Sequence, residues 1–88
     1  MNILFLINFA GQGGSEKYVK DLMENLIHKN DNVILVYNEK GLLVEQVKNL
    51  GVKTIKLNMK NPFDIFSAIK LKNICIENNI NIIHTQFA

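Results

Sequence analysis

The chain has 88 residues, 48% of them hydrophobic and 20% charged, with a formal net charge of +2. That length bounds it to one domain, one that buries only roughly 60–65% of its unfolded surface. The weak, scattered positive charge does not describe a nucleic-acid interface, and a single cysteine, Cys75, excludes an internal disulfide.

All ten basic residues are lysine. The chain therefore lacks the planar guanidinium fork that grips phosphate or carboxylate bidentately. An anion site would rest on backbone N–H groups, helix ends or lysine. Cys75 lies inside a helical pattern and reads as a core thiol rather than a nucleophile. No cofactor, metal ion or nucleic acid is expected.

The elements follow in chain order. Ile3–Ile7 is a continuous apolar run, too short to span a membrane or to form a signal-peptide core. It starts close to Met1 without a basic leader, so the first strand of a cytoplasmic protein is expected. Tyr18, Val19, Leu22, Met23, Leu26 and Ile27 recur at helical spacing. Val33–Tyr37 is a second buried strand. Leu43, Val44, Val47 and Leu50 mark a short helix that Gly51 can end in a left-handed cap. Val52–Leu57 is interrupted by Lys53, Thr54 and Lys56, which places it near a sheet edge. Asn61, Pro62 and Asp64 signal a helix start. Ile65, Phe66, Ile69 and Ile76 are its expected inner stripe. Ile80–Ile83 is the fourth strand.

The order β-α-β-α-β-α-β with right-handed crossovers predicts an α/β, doubly wound (Rossmann-like) parallel sheet of strand order 3-2-1-4. The fourth strand reads as a central one. Residues 1–88 are therefore expected to be a partial domain, with the remainder missing beyond Ala88.

Two places carry chemistry. The first is the loop Asn8-Phe9-Ala10-Gly11-Gln12-Gly13-Gly14-Ser15-Glu16, between the first strand and the first helix. Its glycines let backbone N–H groups approach a ligand, and the helix start adds free donors and partial positive charge. Gly11 and Gly13 fit the start of a dinucleotide fingerprint, but Glu16 stands where its third glycine belongs. Glu39 is a lone acid after the second strand, and no Gly-Lys-Ser/Thr forms a Walker loop. A tight turn without ligand remains the plain alternative. The second place is His84, where the fourth strand is expected to leave the sheet. Strand order 3-2-1-4 brings it to the same switch-point crevice as the glycine loop. His28 closes the first helix and reads as structural.

In these residues the chain resembles the N-terminal, acceptor-side domain of family 4-type GT-B retaining glycosyltransferases, truncated. Gly11-Gln12-Gly13-Gly14-Ser15-Glu16 resembles that family's G-x-G-G-x-E loop. Asn61-Pro62-Phe63-Asp64 resembles its third helix start, and Asn81-Ile82-Ile83-His84-Thr85-Gln86 its D-I-I-H-x-H strand. Asn81 and Gln86 depart from that strand pattern, and Gln86 replaces its second histidine. The resemblance implies transfer of a sugar from a nucleotide-sugar donor to a sugar or lipid-linked acceptor, in polysaccharide or cell-envelope synthesis. It implies Gly11, Gly13, Gly14 and Glu16 near the donor phosphates or substrate. His84 is implied on the acceptor side or as loop support. The donor-binding C-terminal domain is absent, so these residues alone would be inactive. A cytoplasmic location is expected, with the inner face of the cytoplasmic membrane as a further setting. The alternative is a non-catalytic α/β module that self-associates through an exposed sheet edge.

Overall fold

A computed structural model describes residues 1–9, 14–58 and 65–86. The elements are β1 (Asn2–Phe9), α1 (Gly14–His28), β2 (Asn32–Glu39), α2 (Leu42–Asn49), β3 (Lys53–Lys56), α3 (Ile65–Glu77) and β4 (Ile82–Gln86). The strands form one sheet in the order β3-β2-β1-β4. Every pairing in it is parallel. The doubly wound topology expected from the sequence is therefore the one observed.

The sheet divides the core in two. Ile3, Phe5, Ile7, Val33, Leu35 and Tyr37 point to one face, where Val19 and Met23 of α1 and Leu43, Val44 and Val47 of α2 cover them. Leu4, Leu6, Ile34 and Val36 point to the other, against Leu71, Ile74 and Cys75 of α3. The near-continuous apolar runs of β1 and β2 are thus required by helices on both sides. Right-handed crossovers explain the split: the chain steps one way through β1, β2 and β3, then returns over the opposite face to reach β4. Cys75 is half-buried, and desolvation raises its thiol pKa, away from the thiolate that reacts.

All three described helices stop by the same device. Asn30, Gly51 and Asn79 adopt φ of 65°, 86° and 52°. The N–H after each closes back onto the helix: Asp31 to the Leu26 carbonyl at 3.0 Å, Val52 to Val47 at 3.1 Å, and Ile80 to Cys75 at 2.9 Å. These are Schellman caps, with asparagine twice standing where glycine is commonest. Gly51 was legible as a cap from sequence; the two asparagines were not singled out.

Three expectations need correction. Ile65, Phe66, Ile69 and Ile76 are not the inner stripe of α3, since they are 51–78% exposed. The inner face is Ser67, Leu71, Ile74 and Cys75, with the buried Ser67 hydroxyl donating to the Asn58 carbonyl at 2.8 Å. The helix is apolar nearly all round, so periodicity alone could not choose the face. Tyr18 is likewise exposed rather than part of the α1 stripe. Ile80 belongs to the α3 cap and packs on the α3-side core, so β4 starts two residues later, at Ile82. The proposed start of α3 at Asn61, Pro62 and Asp64 lies outside the described residues.

The β3 edge is as expected. It is four residues long, with Lys53 and Lys56 exposed. Among the described strands, β4 stands at the other end of the order and pairs with β1.

Candidate functional site

In an open parallel sheet, ligands bind beyond the carboxyl ends of the strands, at the point where strand order reverses. Here that point is the seam between β1 and β4. The chain leaves β1 at Phe9 and enters α1 at Gly14. Gly14 and Glu16 lie in the first turn of α1, where backbone N–H groups lack intrahelical partners. The dipole of this 15-residue helix adds partial positive charge at that end. Gly11 and Gly13 lie outside the described residues. β1 and β4 run parallel, with Ile7 opposite Gln86, so their carboxyl ends open on the same rim.

His84 does not sit at the tip of its strand. Its register partner is Phe5, four residues before the end of β1. At about 3.3 Å per residue, that sets it roughly 13 Å below the rim. The later start of β4 is the cause. Phe5 belongs to the core cluster under α1 and α2, and the two rings meet at 4.8 Å between centroids, tilted by 39°. His84 is half-buried, and its Nε2 is buried without a hydrogen-bond partner among the described residues.

A buried polar nitrogen left unpaired costs about 1–3 kcal/mol. It needs an explanation, and a functional one is admissible. Replacing His84 by Leu removes that nitrogen at similar volume but forfeits a ring contact worth roughly 0.5–1.5 kcal/mol. The expected net result is a gain of about 1 kcal/mol in unfolding free energy, read from urea denaturation. A loss of stability would make His84 an ordinary structural residue.

A different hollow opens at the opposite rim, lined in part by Asn2, Asn32, Lys53 and Asn79. The asparagines there are engaged with one another. The Asn2 N–H donates to Asn81 Oδ1 at 2.8 Å, Asn2 Nδ2 donates to the Asn79 carbonyl at 3.0 Å, and Asn32 Nδ2 donates to Asn2 Oδ1 at 2.8 Å. This network joins β1, β2 and the entry to β4, and it is a clamp rather than a site. No group of three His, Cys, Asp or Glu among the described residues could hold a metal ion. No described helix is long and apolar enough to cross a membrane.

Neither a protein-family model nor a solved structure matches the chain. Two curated proteins of Escherichia coli do. They are the O-antigen biosynthesis glycosyltransferase WbnH and the probable O-antigen biosynthesis glycosyltransferase WbiN. Each is 32% identical over 80 residues, covering 91% of this chain and 23% of the relative. The chain thus spans about a quarter of the length of these relatives, and its similarity to them supports a kinship with part of a glycosyltransferase.

Proposed function

We infer that these residues form the acceptor-side, N-terminal part of a retaining GT-B glycosyltransferase of family 4 type. In this reading the whole enzyme moves a sugar from a nucleotide-sugar donor to a sugar or lipid-linked acceptor in polysaccharide synthesis, working in the cytoplasm or at the inner membrane face. The observation that carries it is the β1–β4 seam. It brings the N-terminus of α1 to the rim on which β4 also ends, with the orphaned His84 on that same seam.

Each part has a chemical task. The first-turn N–H groups of α1, with Gly11, Gly13 and Gly14 leaving the backbone approachable, face the donor's phosphates. Glu16 binds a hydroxyl or fixes the loop. His84, set below the rim, lines the acceptor side or supports the loop. The negative charge that develops on the departing diphosphate needs further donors from the rest of the enzyme. These residues alone therefore bind without turnover.

Titration of the isotope-labelled chain by NMR tests the reading. A nucleoside diphosphate is expected to shift amides of residues 11–16 and of His84. Shifts confined to the asparagine rim, or none at all, would remove the site. Gly14→Val puts a branched side chain where the phosphates approach. It is expected to weaken that binding about tenfold or more, equivalent to about 1.4 kcal/mol.

A further inference from the structure

α3 has two apolar faces. Leu71, Ile74 and Cys75 pack on the sheet, and Ser67 is buried beside them. Ile65, Ile69 and Ile76 are 72%, 51% and 63% exposed. At about 100° of turn per residue, they stand roughly 150° around the helix from the packed side. A neighbouring helix of the same layer would meet α3 on its flank and leave this outward stripe uncovered. The stripe thus follows from the sequence of the helix itself. Charge separates the layers as well. α1 carries three acids against two lysines and α2 one of each, whereas α3 carries two lysines against one acid. Lys70 and Lys72 are both exposed, and Lys72 borders the stripe. Lys53 joins that side, its Nζ donating to Asn78 Oδ1 at 3.5 Å. The acid, Glu77, is the last residue of the helix.

We propose that the outer face of α3 docks on an anionic lipid surface, with the helix lying along the membrane plane. Its 13 residues are too few to span a bilayer. An apolar stripe bordered by lysine is the pattern of a helix held at the interface instead. The isoleucines enter the headgroup boundary. The lysine stems follow them, while the ammonium groups stay with the lipid phosphates. Each lysine near an anionic surface strengthens binding about fivefold. Charge selects this occupant over a second copy of the chain, because a two-fold mate on the stripe would bring lysine towards lysine. Binding is weak and reversible, since three isoleucines bury no more apolar surface than one acyl chain. The inference does not rest on the transferase reading, because it uses the layer opposite α1 and not the carboxyl rim.

Flotation of the 88-residue chain with vesicles of phosphatidylcholine and phosphatidylglycerol is the test. Binding by folded protein is expected, and it should fall about tenfold or more on vesicles of phosphatidylcholine alone. The double variant Ile69→Gln, Ile76→Gln should weaken it by a similar factor, with an unchanged far-ultraviolet spectrum. The double variant Lys70→Gln, Lys72→Gln should remove most of the preference for anionic lipid. Leu42→Gln, at an exposed apolar position of α2, should change nothing. A chain that ignores anionic vesicles, binds neutral ones equally, binds only when unfolded, or resists both double variants would overturn the proposal. So would a dimer that never meets lipid and is lost in the isoleucine variant, which would give the stripe to a second copy. A longer polypeptide whose stripe is closed to a water-soluble probe before lipid is added would give it to the rest of that polypeptide, with the same consequence.

Discussion

Phe5→Ala is expected to lower the unfolding free energy by about 3–5 kcal/mol, the usual cost of emptying a buried aromatic site. Phe5 is 1% exposed and stands in β1, between β2 and β4. It meets α1 and α2 through the core cluster and touches the His84 ring. Native domains hold only roughly 0.05–0.15 kcal/mol per residue, so a small one can lose much of its stability in this step. Urea denaturation followed by circular dichroism reads the effect. Phe5→Leu separates packing from ring contact, because it keeps most of the volume and removes the aromatic partner. A shift of the His84 ring resonances in a folded Phe5→Leu protein is the expected sign that Phe5 orients the imidazole. A Phe5→Ala protein as stable as the parent would contradict the core assignment itself.

Asn2→Ala is expected to cost roughly 1–2 kcal/mol, at about 0.5–1.5 kcal/mol for each hydrogen bond lost. The substitution removes two side-chain bonds, to the Asn79 carbonyl and from Asn32 Nδ2. The backbone bond from Asn2 to Asn81 Oδ1 survives it. Both lost bonds are exposed, which keeps the estimate well below that for Phe5. A double-mutant cycle with Asn32→Ala isolates the bond between the two side chains. Strict additivity would show that this bond contributes nothing. Because the clamp lies across the sheet from the carboxyl rim, nucleotide binding by folded Asn2→Ala protein should be unchanged.

Topology was legible in the sequence because two strong signals agreed. Apolar runs without alternation required a sheet covered on both faces, and helical spacing between them required parallel crossovers. Strand order followed from handedness. The face of α3 was not legible, because a helix apolar on nearly every side offers no periodic contrast. The start of β4 was missed for a related reason. Ile80 continues an apolar run in sequence, yet its N–H closes the α3 cap and its side chain accompanies that cap into the core. Asparagine at Asn79 gave the only local sign, and asparagine is weaker punctuation than glycine. Of the candidate site, the switch point was readable from strand order. The depth of His84 was not, since it depends on where β4 begins. The asparagine clamp carries no motif: Asn2, Asn32 and Asn81 are far apart in sequence and meet only through the parallel register.

The shared helix stops have a consequence for what this architecture tolerates. Asn30, Gly51 and Asn79 each stand two or three residues before the next strand, so each sets the phase in which that strand enters the sheet. One residue inserted at any of them would turn the following strand over, driving its core side chains into the opposite layer. Length variation among descendants of this chain should therefore be rare at all three of these junctions, leaving residue substitution as the route by which that side of the molecule diverges.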